Sequence, residues 1–324
     1  MSPRNPERGL GVFSFACVSF FVPELPEVES VRLSLVPRLS GRLVVSAELL
    51  RRDVLVSPGD PPGGFSRQRA KKRRASATRD AAPLGPEDLL VGTRIVELRR
   101  RGKQLAVVGE NARVLVVQLG MTGHFEIAAG EQRLTHTHAE WRLDDGSRLA
   151  FRDARRFGTL RVFRSVKDLE KHWQSLGPDA LTISAGMLAA NLANTKRAVK
   201  AALLDQSLIA GVGNIYADEA LHRARIHPAA RTDRLRYAED KRLAQAIRHV
   251  LRAAIRAGGS TVDDYSDGAG RAGSYQERHR VYGRAGQPCL VCGRALSSGT
   301  LGQRTTVWCA ICQPRGRGAC REAW

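Results

Sequence analysis

The 324-residue chain contains no run of about 20 apolar residues, the length a helix needs to cross a bilayer. Nor does it contain an internal repeat, which sets solenoid architectures aside. Acidic side chains are outnumbered, 32 Asp plus Glu against 52 Lys plus Arg, for a formal charge of +20 and a pI near 10.7. That deficit favours a polyanionic partner, because each neutralised phosphate releases condensed counterions. Charge alone leaves a ribosome-type or membrane-surface protein open. Cysteine is nearly absent outside one cluster: four of the six form two Cys-x-x-Cys pairs, and Cys17 and Cys320 carry no assigned role. The pattern excludes a framework of scattered disulfides and points to metal in a reducing compartment. A hydrophobic share of 43% is that of a folded protein, and the length suits two or three domains.

Arg4 and Arg8 precede an apolar stretch from Leu10 to Val22 that superficially resembles a signal peptide. No small-x-small cleavage site follows, and Pro23 comes next, so secretion is not expected. From Leu25 to Leu39, Leu25, Val28, Val31 and Leu35 recur at helical spacing, with Glu24, Glu27 and Glu29 loading the first turn. Ser57 to Pro86 reads as a loop, Pro- and Gly-rich and then basic. Short β-type runs follow at Arg94–Leu98, Gln104–Val108, Arg113–Leu119, Ala139–Leu143, Arg148–Arg152 and Leu160–Phe163, a density typical of a sandwich or barrel. After Leu176-Gly177-Pro178 the pattern turns helical, at Met187–Asn194, Lys196–Leu204, Asn214–Ala224 and Glu239–Ala257, the last stopped by Gly258-Gly259.

The strongest local signal is Cys289-x-x-Cys292, sixteen residues, then Cys309-x-x-Cys312. Two knuckles joined by a hairpin-length spacer supply the closed tetrahedral set preferred by one structural Zn2+, with no position left for water. Between them Arg304 is placed near a hairpin tip, where a rigid arginine suits a phosphate or groove contact.

The segment Pro23-Glu24-Leu25-Pro26-Glu27-Val28-Glu29 reads locally as a helix start with prolines in its first turn. It also strongly resembles the mature N-terminus of formamidopyrimidine-DNA glycosylases (Fpg). Further matches follow in the order of that family: Gly102-Lys103, Leu119-Gly120-Met121-Thr122-Gly123, His136-x-His138, Asp153 to Gly158, Leu176-Gly177-Pro178 and Gly211 to Ala217. Gly258 to Thr261, Val281 to Arg284 and the cysteine module complete the series, so the resemblance runs from Pro23 to Cys312.

The resemblance implies an α+β multidomain fold. Residues 23–172 would form an N-terminal β-sandwich with flanking helices, 178–270 a helix–two-turn–helix domain and 280–314 a C-terminal β-hairpin zinc finger. Residues 1–22 would be an extension and 315–324 a tail. It further implies a cytoplasmic, monomeric enzyme of base excision repair with damaged double-stranded DNA as partner. Pro23 would be the nucleophile and Glu24 would protonate the opening sugar ring. Lys103 would sit against a phosphate at the lesion, assisted by Arg304. Met121, Arg155 and Phe157 would fill the hole left by the extruded base, a step that costs a few kcal/mol. His136, Lys196 and Asn214 would contact DNA backbone, with Lys200 a nearby competitor for the role of Lys196. Leu25 and the Arg155-Arg156-Phe157-Gly158 loop favour oxidised purines over the oxidised pyrimidines of the endonuclease VIII branch. The stretch Ser266 to Arg280 corresponds to the base-capping loop, without residue assignments.

One departure bears on the chemistry. In the family the proline is the first residue of the mature chain, whereas 22 residues precede Pro23. An internal proline nitrogen is a tertiary amide and cannot form an iminium. A GTG start codon at Val22 followed by methionine removal would expose Pro23, as would proteolytic processing. If the extension stays, a protein that only binds damaged DNA is the expected alternative. A zinc-ribbon RNA-binding protein is the other rival, supported by charge and cysteines alone. Ala154 and the Ser57–Pro86 insertion are lesser departures.

Overall fold

The computed structural model describes residues 22–56, 86–128, 133–261 and 267–315. The segment before Val22, nearly all of the basic insertion and the tail lie outside these residues, as does Ser266 of the expected capping loop.

Helix α1 (Leu25–Leu39) begins where the acidic first turn predicts, and buries Leu25, Val28, Val31 and Leu35 on one face. Eight strands follow: β1 (Val44–Leu49), β2 (Ile95–Arg101), β3 (Gln104–Gly109), β4 (Val114–Gln118), β5 (His124–Ala128), β6 (Thr137–Leu143), β7 (Arg148–Arg152) and β8 (Thr159–Phe163). They form two four-stranded antiparallel sheets, ordered β1-β6-β7-β5 and β2-β3-β4-β8. Between the sheets Phe125 packs its ring against Trp141 and Phe151, at centroid distances of 6.4 and 5.4 Å.

The period of two explains how the second sheet is covered on both faces. In β3 and β4, Leu105, Val107, Leu115 and Val117 point into the sandwich core. Ala106, Val108, Val114 and Val116 point outward, where Leu169 and Trp173 of helix α2 (Val166–Trp173) bury them. The runs are apolar throughout because neither face meets water.

Four more helices follow: α3 (Ala185–Ala193), α4 (Val199–Leu203), α5 (Asn214–Ala224) and α6 (Tyr237–Arg256). The stripe Leu243, Ile247, Val250, Leu251 and Ala254 of α6 is buried, as its spacing predicts. These residues join the same apolar cluster as α1 and the sandwich, so α1 is shared by both halves. The last strands among the described residues form the hairpin β9 (Ser297–Leu301) and β10 (Arg304–Trp308), whose two-residue turn has left-handed Gly302 and Gln303.

Candidate functional site

The expected catalytic residues converge where α1, the β2–β3 turn and the start of α5 meet. Glu24 caps α1 and is only 3% exposed. Its carboxylate accepts the backbone N–H groups of Gly213 at 2.6 Å and Ile215 at 2.9 Å, at the start of α5. The turn before α5 hugs α1: Leu25 donates its N–H to the Gly211 carbonyl at 3.1 Å. A Cβ on Gly211 would lie 2.5 Å from Leu25, and one on Gly213 2.3 Å from Glu24 Cδ and 2.6 Å from Lys103 Nζ. Glycine at these positions is therefore a condition of the close approach, and it places Lys103 beside Glu24 across the same backbone.

Lys103 rides on the β2–β3 turn, which is fixed from below. Asp179 accepts the Gly102 N–H at 2.9 Å and the Arg100 guanidinium at 2.7 Å, and Arg100 also reaches Glu29 at 2.8 Å. Asp179 follows the Leu176-Gly177-Pro178 motif, which gives that motif a structural reason.

Two carboxyls sit side by side at the head of α1. Glu27 accepts the Glu24 N–H at 2.9 Å, the Tyr216 hydroxyl at 2.5 Å and the Ser260 N–H at 2.8 Å. Burial outweighs these bonds and pushes Glu27 above the usual carboxylate range. Burial likewise raises Glu24 to about 7, against the pull of the Lys103 ammonium, with the Glu27 charge adding to the rise. Lys103 is drawn below its ordinary value, first by burial and then by the charge of Arg304, while Glu24 and Glu27 oppose the shift. Glu24 is thus an acid that keeps a proton near neutral pH, beside a cation with a weakened hold on its own.

Arg304 reaches this centre from the hairpin. Lys200 of α4, fully buried, ion-pairs with Asp218 of α5 at 2.7 Å and donates to the Thr305 carbonyl and Thr306 Oγ1, each at 2.8 Å. Asp218 accepts the Val307 N–H at 3.0 Å. The hairpin is therefore clamped to the helices at the residues adjoining Arg304. Lys200, the competitor for a DNA contact, is spent on this clamp, and Lys196 stands exposed.

The three residues expected to form the wedge lie on two loops. Asp153 accepts the Thr122 hydroxyl and the Gly158 N–H, each at 2.5 Å, and Thr122 Oγ1 accepts the Arg155 N–H at 3.0 Å. This links the loop of Met121 to that of Arg155 and Phe157, and the Arg155 guanidinium lies 5.6 Å from the Phe157 ring centre. Met121 and Phe157 are half-buried and Arg155 exposed. His136 is exposed in a left-handed turn, while His138 is buried, its Nε2 2.7 Å from the Asp153 carbonyl. Asn214 opens α5 with its Oδ1 buried and without an internal partner.

The four Sγ atoms of Cys289, Cys292, Cys309 and Cys312 lie within 4.8 Å of one another. Tetrahedral zinc with Zn–S of about 2.3 Å needs S···S separations of about 3.8 Å. The observed 3.9 Å for Cys289–Cys312 and 3.4 Å for Cys292–Cys309 fit that set. The knuckle amides of Val291 and Cys312 point at Cys289 and Cys309 Sγ, at 3.5 and 3.4 Å, as they do toward thiolates. His222 Nε2 stands 3.6 Å from Cys289 Sγ, a contact that would tune this thiolate were it to ligate a metal.

Glu27, Tyr216, Ser260, Asp153, Asp179 and Asp218 have no role assigned from sequence, and Lys200 only that of a competitor for a DNA contact. All but Lys200, Asp218 and Asp179 lie inside quoted motifs, so the signal was present without its physical reading.

Residues 22–160 match the family model of the formamidopyrimidine-DNA glycosylase N-terminal domain, and residues 176–266 that of its H2TH domain. A formamidopyrimidine-DNA glycosylase of Solibacter usitatus is 40% identical over 91% of this chain and 100% of its own. One of Bacillus subtilis is 37% identical, with the same coverage of both chains. The MutM (Fpg) crystal structure from Thermus thermophilus superimposes with a TM-score of 0.72 at 37% identity, covering 91% of this chain and 100% of the other. A Lactococcus lactis Fpg mutant bound to Fapy-dG-containing DNA gives a TM-score of 0.76 at 28% identity, covering 90% of this chain and 100% of that one.

Proposed function

The chain belongs to the formamidopyrimidine-DNA glycosylase family, a DNA glycosylase of base excision repair, and on that premise we propose that it excises oxidised purines and then nicks the strand. The substrates are 8-oxoguanine opposite cytosine and ring-opened formamidopyrimidines in duplex DNA. The observation that carries this reading is the buried Glu24, which burial raises to about 7, beside Lys103 and at the residue following Pro23.

The reaction requires Pro23 to be the first residue of the active chain. Its free nitrogen then attacks C1′ of the damaged nucleotide while the glycosidic bond breaks and the base departs with the electron pair. Glu24 gives its proton to O4′ as the C1′–O4′ bond opens, leaving a C1′=N⁺ iminium. Loss of a C2′ proton expels the 3′ phosphate, and a second elimination expels the 5′ phosphate. Water then hydrolyses the imine and frees Pro23. Lys103 and Arg304 hold the phosphate of the lesion and balance its charge. His136, Lys196 and Asn214 bind the backbone, and Met121, Arg155 and Phe157 fill the emptied stack. The four cysteines would hold one structural zinc, which would brace the hairpin that carries Arg304. We take residues 23–172, 178–270 and 280–314 as the working units, acting as a monomer in the cytoplasm. A basic chain of +20 and the L. lactis complex with lesion DNA support the choice of partner. While Val22 remains bonded to Pro23, the same surface binds damaged DNA without cutting it.

Product analysis tests the reading. A chain starting at Pro23 is expected to convert duplex with 8-oxoguanine opposite cytosine into a gap with phosphate at both ends. It is expected to leave a thymine glycol duplex largely intact. Equal cleavage of both duplexes, or release of base without nicking, would overturn it.

A further inference from the structure

A second charged surface lies at the other end of α5. Arg223 of α5, His249 and Arg256 of α6, Arg278 and Arg280 line an open cleft of about 450 Å³, with Leu290 of the first cysteine knuckle on its wall. It adjoins a cleft of about 240 Å³ that shares Arg223 and Arg280 and adds Arg225 and Val291. Their charges converge: Arg223, Arg256 and Arg280 all help burial pull His249 below its ordinary value. Among the described residues, none of these five arginines makes an ion pair. Of the nearby acids, Glu219 is spent on the backbone N–H groups of Arg280, Val281 and Tyr282. Glu277 alone stands exposed at the rim.

The apolar part is equally unusual. Leu290 is 65% exposed and Val291 51%, on a knuckle held rigid by its cysteines, and the second knuckle shows Ile311 at 57%. Solvated arginines beside fixed, exposed aliphatic side chains complement a ligand that is both acidic and apolar.

The groove is offset from the catalytic centre. Glu24 sits at the N-terminal end of α5 and the groove at its C-terminal end, about 15 Å away along an 11-residue helix. Arg304 and the knuckles are likewise separated by the length of β10, about 17 Å.

We propose that this groove is a docking surface for an acidic protein segment bearing apolar side chains, separate from the lesion-binding face. Arg223, Arg256, Arg278 and Arg280 take its carboxylates, and Leu290 and Val291 take its aliphatic or aromatic residues. Such a contact tethers the enzyme to another protein on DNA without occupying its active site.

Fluorescence anisotropy of a labelled nonapeptide of three Glu-Asp-Leu repeats, with the full zinc-loaded chain, tests this. The Arg223→Gln/Arg256→Gln variant is expected to weaken binding about tenfold, and Leu290→Ser to weaken it severalfold. An Arg164→Gln/Lys167→Gln control removes equal charge from exposed positions at the start of α2 and is expected to leave binding within about twofold. Replacing leucine by serine in the peptide is expected to cost about as much as Leu290→Ser. Saturating undamaged duplex leaves the peptide bound, and lesion nicking by all variants stays at the parent rate. Equal weakening by the control pair, indifference to the leucines, or displacement of the peptide by duplex would each overturn the proposal. The first would reduce it to general charge, and the last would make the groove a nucleic-acid surface. Nicking is measured in parallel, so failure of the docking surface is distinguishable from failure of the glycosylase reading.

Discussion

The wedge loops and the buried centre solve opposite problems. Met121, Arg155 and Phe157 are partly or fully exposed and are held through backbone contacts and one carboxylate, Asp153. None of the three belongs to the buried core. Glu24, Glu27, Lys200 and Asp218 are charged groups removed from water, and each is held by several partners from distant parts of the chain. Exposed side chains cost the fold little, whereas charged groups in the interior carry a stability cost.

Metal removal is expected to have the largest effect. Structural zinc contributes roughly 10 kcal/mol or more to small finger modules. Chelation, or Cys309→Ser, is expected to release zinc and abolish nicking while the sandwich keeps its strand signal by circular dichroism. Retention of full nicking without zinc would detach Arg304 from the reaction.

The clamp comes next. Lys200→Met leaves Asp218 buried and unpaired, and is expected to cost about 3–5 kcal/mol in urea unfolding. A Lys200→Met/Asp218→Leu double variant is expected to recover most of that stability but not the nicking rate. Both partners argue for a pair near its limit, since burial raises Asp218 to about 6 and draws Lys200 down. Recovery of nicking together with stability would show that the pair does not position the hairpin.

Glu24 links both regions to pH. Its folded value of about 7 lies above the ordinary 4.5, so the stability it contributes is present at acidic pH and lost as pH rises through about 7. The parent is therefore expected to lose up to about 3 kcal/mol between pH 4.5 and 8 relative to Glu24→Gln. Single-turnover base excision should fall along the same limb, because the acid must carry its proton to act. Thermal melts of both proteins across that range check the first statement. A flat difference would contradict the burial argument.

The wedge gives the smallest stability effect. Phe157→Ala is expected to change unfolding by about 1 kcal/mol or less, in keeping with its half-buried place in a loop. It is nevertheless expected to slow excision from duplex strongly, while an abasic site in single-stranded DNA, which needs no extrusion, is cut at nearly the parent rate. Equal slowing on both substrates would place Phe157 in the chemistry rather than the stack.

Legibility in the sequence divides along similar lines. α1, α5 and β7 begin and end where their patterns predict, since each has a one-sided apolar stripe or a buried run with clear punctuation. β1 and β5 escaped the reading. Both are edges of their sheet, paired on one side only, and their mixed sequences Val44–Leu49 and His124–Ala128 lack a continuous apolar signal. Helix α2 escaped as well, because it buries just Leu169 and Trp173. α4 starts at Val199 rather than Lys196, after a turn at Thr195 to Arg197 that donates to its own side chain. The site itself depends on contacts such as Glu24 with Gly213, 189 residues apart, which no local period encodes. The resemblance singled out both motifs without pairing them, and the packing of two glycines against α1 supplies the pairing.

The central claim is that Pro23 nitrogen becomes the nucleophile once it heads the chain. Borohydride trapping on 8-oxoguanine duplex, with zinc-loaded chains beginning at Met1 and at Pro23, tests it most directly. Reduction of an iminium is expected to cross-link the shorter chain to DNA and leave the longer one free. If intact Met1 chain is cross-linked, the nucleophile is another amine. If neither chain is trapped although both bind the duplex tightly, the protein recognises damage without cutting it.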